Sequence, residues 1–323
     1  MKEIYVDPSI DAVNEPIPYF DPSTGDIIRR IETPFINRVS RLKIRKFLTE
    51  GQDLNIRFSK RLTGITVTDE HAQVTFEDGT KYTGSMAIGA DGSHSVVRTF
   101  LLGPEAAKIE RIDHTMINFP ASGYTPEQIQ LLRSFHPITQ LAHSQQFGSA
   151  LVATLDAEKG MFQNYTSWWG PPYAEDLQDR TVRLKFYKER LSHFCEPFKT
   201  GASVVNEGTE IPVFAGAQWA PPKEGWDNHG GRVTLVGDAA HSMLPHRGQG
   251  FNNAVKDASD VVDAIVAVRD GKMTLKEAIT AYEEEMRPRG AEEVRLSLLQ
   301  AESSRNGNIM ESPMFKTGHQ KVT

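Results

Sequence analysis

The sequence predicts an α/β fold interrupted by an inserted mixed antiparallel β-sheet subdomain, and three stretches predict it. The run Arg232-Val233-Thr234-Leu235-Val236 is short and mostly apolar, as a strand buried in a parallel sheet must be, and it leads through Gly237-Asp238 to a helical stretch starting at Gly250. Earlier, Ile56 and Phe58, Ile65 and Val67, and Val74 and Phe76 are each spaced by two, and Asp78-Gly79 is a dipeptide that closes hairpins. Between about Lys108 and Glu210 the texture changes. Aromatic and β-branched pieces (ALVATL, MFQNYTSWW, VRLKFY) are broken there by Pro120, Pro126, Pro137 and Pro171-Pro172.

In chain order, residues 1–35 are rich in Pro and Asp, with Asp21-Pro22 and Thr24-Gly25 expected as turns between short extended pieces. RLKIRKFLTEG, centred on Ile44 to Leu48, is expected to be a short helix. Residues 56–89 are expected to form a β-meander feeding a last strand, SMAIG, which ends at Ala90-Asp91-Gly92. From Gly250, Phe251, Ala254, Val255, Ala258, Val262, Ile265 and Val266 recur at three and four, predicting one buried helix face. A second helix is predicted over about Thr274–Arg287. The last stretch, rich in Ser, Asn, Gly and Lys, is expected to be a solvated tail. The resulting boundaries are 1–107 for a first α/β segment, 108–210 for the insertion, 211–300 for a second α/β segment with its helices, and 301–323 for the tail.

Composition removes several classes of function. With 323 residues, 39% hydrophobic and 24% charged, the chain is an ordinary globular one, and its formal charge of -6 without a dense basic block argues against nucleic acid as a partner. Cys195 stands alone, so no internal disulfide forms and a reducing, cytoplasmic setting is expected. The opening MKEIYVDPSIDAVNEP has no signal-peptide pattern, and no run of about 18 apolar residues predicts a membrane span. His241 and His246 are five apart with no acid or Cys at ligand spacing, so no metal site is expected. No Gly-x-Ser-x-Gly elbow supports a serine hydrolase.

One passage carries the most chemistry: Gly237-Asp238-Ala239-Ala240-His241, then Pro245, Arg247, Gly248-Gln249-Gly250, Asn252 and Asp257-Ala258. It describes a buried strand ending in a carboxylate, a loop of Gly and Pro, and a long helix whose N-terminus faces whatever the loop encloses. Free N–H groups and the positive end of a helix stabilise negative charge on a flat, electron-accepting ligand. Glycines at 248 and 250 allow close approach, and Asp238 at the strand end is placed to accept from a ribose hydroxyl.

GDAAHSMLPHRGQGFNNAVKDA resembles the flavin and ribose motif of the aromatic-hydroxylase family of FAD-dependent monooxygenases, the salicylate and p-hydroxybenzoate hydroxylase type, in its fungal form. Asp91-Gly92-Ser93-His94-Ser95-Val96-Val97-Arg98 is similar to the family's DG element. Arg38-Val39-Ser40-Arg41-Leu42 is similar to the stretch where an arginine opens a helix beside the cofactor, although a surface Arg on an amphipathic helix explains it nearly as well. The stretch Tyr282-Glu-Glu-Glu-Met-Arg-Pro-Arg-Gly looks like fungal members, so the resemblance runs from about Asp21 to Gly290 and matches only in texture over 110–210.

The resemblance implies a glutathione-reductase-like FAD/NAD(P)-binding domain with the inserted sheet carrying a small aromatic or polyketide-like substrate of secondary metabolism. It implies that NAD(P)H reduces FAD, that O2 adds at flavin C4a, and that the resulting hydroperoxide delivers one oxygen. Asp238 would serve ribityl or ribose hydroxyls, with Gly237 and Gly248 shaping the loop. Gly250 and Asn252 would meet the pyrimidine edge, Pro245 and Arg247 would flank the ring, and Asp91, Arg98 and Arg41 would lie toward the pyrophosphate. Trp168, Trp169, Tyr165 and Phe162 could line a substrate pocket, but plain sheet packing is the simpler reading of an alternating aromatic strand. The family's opening βαβ unit with Gly-x-Gly-x-x-Gly has no counterpart here, the first glycine being Gly25, so an N-terminally truncated domain is expected. That leaves open a non-catalytic remnant that does not retain FAD. A flavin halogenase or oxidase is a nearer alternative, without the Trp-x-Trp-x-Ile element expected of halogenases.

Overall fold

The computed structural model describes residues 2–10, 15–32, 36–171 and 177–317. In chain order it contains β1 (Ile17–Phe20), β2 (Ile27–Ile31), α1 (Arg41–Thr49), β3 (Leu62–Val67), β4 (Ala72–Phe76), β5 (Lys81–Gly84) and β6 (Ala87–Gly89). There follow α2 (Val96–Ala106), β7 (Glu110–Ala121), α3 (Pro126–Ser134), β8 (Thr139–Ser144), β9 (Gly148–Asp156) and β10 (Met161–Trp169). The last elements are α4 (Arg180–Ser192), α5 (Phe198–Ser203), β11 (Val213–Gln218), β12 (Val233–Leu235), α6 (Gly250–Arg269), α7 (Leu275–Arg305) and α8 (Pro313–Thr317). They form two compact units. The first is Met1–Leu54, Asp113–Gly216 and Glu302–Thr323, and the second is Asn55–Ile112 and Ala217–Ala301.

The first unit is a seven-stranded sheet ordered β11-β7-β10-β9-β8-β1-β2, with β1 parallel to β8 and the other registered pairs antiparallel. Alternation along β10 explains its burial: Phe162, Asn164, Thr166 and Trp168 lie in the interior. There Phe162 meets Tyr124 edge-on at 5.3 Å, and Phe198 of α5 meets Phe20 of β1 at 6.1 Å. Buried Asn164 donates to the Tyr124 hydroxyl at 2.9 Å and accepts from that of Tyr187 at 3.3 Å, so its amide is satisfied. Helix α5 reaches the sheet through Gly201, where a Cβ would come within 2.8 Å of both Asn164 and Val152.

Two expectations change in this unit. Residues 1–54 group with the insertion instead of with the α/β segments, because fully buried β1 adds to the edge of β8, a partner more than a hundred positions along the chain. Nor are residues 301–317 a solvated tail: Ser312 and Met314 are buried, and Phe315 sits edge-on to Tyr19 at 5.0 Å. A few apolar anchors among polar neighbours suffice to hold that stretch, while 318–323 lie outside the described residues.

In the second unit β3, β4 and β5 form the expected meander, with Gly79 at φ +80° in the hairpin. Ile56 and Phe58 do not join it and are exposed, since the β3–β4 register begins at Leu62 opposite Phe76 and offers them no partner. β6 pairs in parallel with β12, Val233 opposite Ala87, and all three residues of β12 are fully buried. Gly89 is required there, because a Cβ would lie 2.7 Å from Val97 and 2.8 Å from Leu235. Helix α7 runs on through Pro288 to Arg305, well past the predicted end. Its buried Ala278, Ile279, Tyr282, Met286 and Val294 recur at helical spacing, and this packing outweighs the lost proline N–H.

α6 differs most from expectation. Its buried residues are Asn253, Asp257 and Val261, four apart, whereas Phe251, Val255, Val262 and Ile265 are 40–57% exposed. The apolar stripe therefore does not face the core of this unit, and the inward face is decided by polar groups.

Candidate functional site

β12 delivers the chain to a 3-10 turn at Gly237–Ala239. Gly237 adopts φ +59°, the left-handed region that favours glycine, and its carbonyl accepts from the amides of Ala240 and His241 at 2.8 and 2.9 Å. The turn leaves Asp238 exposed beside the start of α6, with its Oδ1 4.0 Å from where a Cβ on Gly250 would stand. Helix α6 opens without a side-chain cap at Gln249 and without an acidic residue in its first turn. Its first N–H groups are thus left to partners from outside the helix. Asn252, exposed, donates to Gln249 Oε1 at 3.2 Å.

The loop between is a second 3-10 turn, Pro245–Arg247, closed by Gly248 at φ +65°, whose amide donates to Pro245 O at 3.0 Å. Pro245 is exposed at its surface. Arg247 is not: it is buried and ion-paired with Glu293 of α7.

The other passage begins where β6 ends. Asp91 caps α2, its Oδ2 accepting from the amides of Val96 and Val97 at 2.7 and 3.2 Å and its Oδ1 from the Ser95 hydroxyl. Arg98 ties the two passages together. Its Nε donates to Ala107 O at 3.0 Å, its Nη1 to Ala239 O at 3.0 Å, and its Nη2 to Ser93 O. The guanidinium also lies 4.6 Å from the Trp219 ring. Burial lowers its pKa, and the Asp91 charge opposes that shift.

Asp91, Arg98, Gly237, Asp238, Pro245, Arg247, Gly248, Gly250 and Asn252 are therefore placed by three neighbouring turns of the second unit. Arg41 is the exposed first residue of α1 in the first unit. Sequence reasoning gave no role to Asp257, Arg289, Glu293 or Trp219, although Asp257-Ala258 and Arg289-Gly290 belonged to the recognised stretches.

The first unit has its own cavity, of about 110 Å3, with His114, Ser149, Ser167, Trp168, Trp169 and Arg305 in its wall. His114 meets Trp169 edge-on at 5.3 Å, and the Arg305 guanidinium lies 5.1 Å from the same ring. Of the aromatic residues singled out in β10, Trp168 and Trp169 line this cavity while Phe162 packs in the core. Burial pushes the His114 imidazole down to about 4. Between the ordinary 6.5 and that value the unfolded chain takes up a proton at His114 that the folded chain does not. Stability therefore falls as pH is lowered through this window, by about 3 kcal/mol, and nothing is lost above it. His114→Gln is expected to lose less stability than the parent between pH 7 and 4.5, measured by thermal unfolding.

A family model described as an FAD binding domain matches residues 36–297. FAD-dependent monooxygenase cctM of Talaromyces islandicus is 32% identical over 326 residues, covering 98% of this chain and 80% of the relative. This chain belongs to the FAD-dependent monooxygenase family. FAD-dependent monooxygenase phnB of Penicillium herquei is also 32% identical, over 93% of this chain and 75% of its own length. Among solved structures, 2,6-dihydroxypyridine-3-hydroxylase from Arthrobacter nicotinovorans aligns with TM-score 0.76 at 20% identity, covering 97% of this chain and 82% of that one. Klebsiella pneumoniae HpxO, solved with FAD and uric acid, aligns at 0.74 and 19% identity, covering 94% and 76%. Those likenesses establish the α/β flavoprotein fold with its inserted mixed sheet. Among the described residues no helix of this monooxygenase is long and apolar enough to cross a membrane.

The family's cofactor fits what the turns present. Gly250 has an ordinary φ and meets nothing but the edge of Asp238 at 4.0 Å, so the fold itself does not demand a glycine there. A glycine there leaves the helix tip open to close approach.

Proposed function

We propose that this enzyme uses FAD and NAD(P)H to place one atom of O2 on an electron-rich, aromatic or polyketide-like small molecule. Bound FAD supplies the hydride-accepting and oxygen-activating chemistry. The chain's own part is to seat the flavin and exclude water. Asp238 accepts from ribityl or ribose hydroxyls, and the open N–H groups at Gly250 and Asn252 face the electron-rich edge of the ring. Gly237 and Gly248 hold the left-handed turns, and Pro245 walls one side. Arg247, locked to Glu293, serves as a brace for that wall. Asp91 stays toward the pyrophosphate, while Arg98 holds the Asp238 turn through its carbonyls.

The observation that carries this reading is the uncapped start of α6 beside exposed Asp238, within a chain of this family. The cavity in the first unit suits one ring of the substrate, with Trp169 as an apolar wall and Arg305 able to face an ionised or strongly polarised oxygen. The names of the similar fungal proteins favour an active monooxygenase over a non-catalytic remnant.

The test is direct. Purified protein supplied with FAD is expected to turn yellow, with bands near roughly 370 and 450 nm. It should then consume NADH or NADPH faster when an aromatic substrate is added, with a product one oxygen heavier. A chain that takes up no flavin overturns the reading, and consumption driven by halide would move it to halogenation.

A further inference from the structure

Two stretches of the family motif, Asp257-Ala258 and Arg289-Gly290, have no part in the seat described above, yet they converge on one turn. Asp257 has no exposed surface and lies seven residues, roughly two helical turns, along α6 from Gly250. Its Oδ2 accepts from the Gly237 amide and from His241 Nε2, both at 2.7 Å, and its Oδ1 accepts from Arg289 Nη2 at 2.8 Å. Arg289 also donates from Nη1 to Asn253 Oδ1 at 2.7 Å, and Glu285 pairs with it from the solvent side. His241, fully buried, rests on the backbone of α7: a Cβ on Gly290 would lie 2.8 Å from its Cδ2.

A buried ion pair contributes little net stability compared with apolar packing, because desolvation offsets the attraction. What it adds is direction. The carboxylate receives the one amide that precedes Asp238, at a residue held in the left-handed region, and so sets the course on which the chain leaves the strand. Burial works to raise the Asp257 carboxyl, but the hydrogen bond and interaction it receives from His241, with the hydrogen bonds from Arg289 and the Gly237 amide, outweigh it and hold the group below the usual carboxylate range.

We propose that Asp257 is a positioning residue of the cofactor seat: anchored by Arg289 and His241, it fixes the Gly237 turn, and through it aims Asp238 at the ligand hydroxyls. The inference rests on the reading of Asp238 and Gly250 as the FAD seat. Asp257→Asn keeps the shape but replaces one carboxylate oxygen by an amide that must face Arg289, His241 or the Gly237 N–H. Val261→Ala, one turn further along the same buried face, is the comparison for a plain loss of packing.

Two readouts are needed: amide hydrogen exchange over residues 237–241 without FAD, and the Kd for FAD from flavin fluorescence quenching. Asp257→Asn is expected to speed exchange there at least tenfold relative to the slowest core amides and to raise the Kd at least tenfold. Val261→Ala is expected to do neither. If Asp257→Asn does not fold, Arg289→Lys, which keeps the charge but not the two-pronged contact, should show the same pair of effects at smaller size. Exchange no faster than in Val261→Ala overturns the proposal, as does faster exchange with an unchanged Kd. A parent chain that takes up no FAD removes the cofactor reading itself, while its exchange data still report on the turn.

Discussion

Replacing Arg98 by Ala is expected to destabilise the second unit by roughly 3–5 kcal/mol, the range for breaking a buried charged network from one side. At roughly 3 °C per kcal/mol for a unit of this size, its melting point should fall by about 10 °C or more. Arg98 is 1% exposed and serves the carbonyls of Ser93, Ala107 and Ala239 while stacking on Trp219. Removing it strands buried carbonyl oxygens at about 1–3 kcal/mol each and opens a void against the indole. Lysine should not rescue it, because a single ammonium cannot span three acceptors that a planar fork reaches from fixed directions. Calorimetry on the two variants would show it. If Arg98→Lys melts with the parent, the carbonyl bridge is not what holds the two passages together.

The role of Arg98 also shows where sequence reasoning ends. The strand Val233–Leu235 and the turn after it were legible because a short, wholly apolar run has few places to go, and the Asp238 and Gly250 motif is local. What Arg98 touches was not, since Ala239 is 141 positions away and backbone carbonyls leave no mark on the residue types that carry them. The face of α6 failed for a related reason. Hydrophobic periodicity pointed to Phe251, Val255 and Val262, but the helix turns Asn253 and Asp257 inward to meet Arg289. A salt-bridged interior inverts the usual pattern, and only the recurrence of Asp257 and Arg289 within motif stretches hinted at it. The short extended pieces around residues 21–25 were legible as β1 and β2, but the pairing of β1 with β8 was hidden by its long range, and the segment at 309–315 by composition, where Met314 and Phe315 outweigh their polar neighbours.

At the cofactor seat itself, Gly250→Ala and Asp238→Ala are expected to separate ligand binding from folding. An added methyl at Gly250 meets only Asp238 Oδ1 at 4.0 Å, and the backbone there needs no glycine. Alanine is the better helix former by up to about 1 kcal/mol, so the FAD-free protein should melt no lower than the parent. The same methyl occupies the space at the open tip of α6, and FAD affinity should drop tenfold or more, about 1.4 kcal/mol. Asp238 is exposed and its carboxylate makes no hydrogen bond to a described residue, so Asp238→Ala should shift stability by less than about 0.5 kcal/mol. If the carboxylate accepts ligand hydroxyls, its loss should weaken FAD by about 2 kcal/mol, near thirtyfold, the usual worth of a hydrogen bond to a charged group. Thermal melts without FAD and fluorescence titrations with it measure both quantities on each variant. A seat built for the cofactor requires binding to fall while stability holds in both variants. Stability falling with unchanged binding would instead make Gly250 and Asp238 parts of the scaffold.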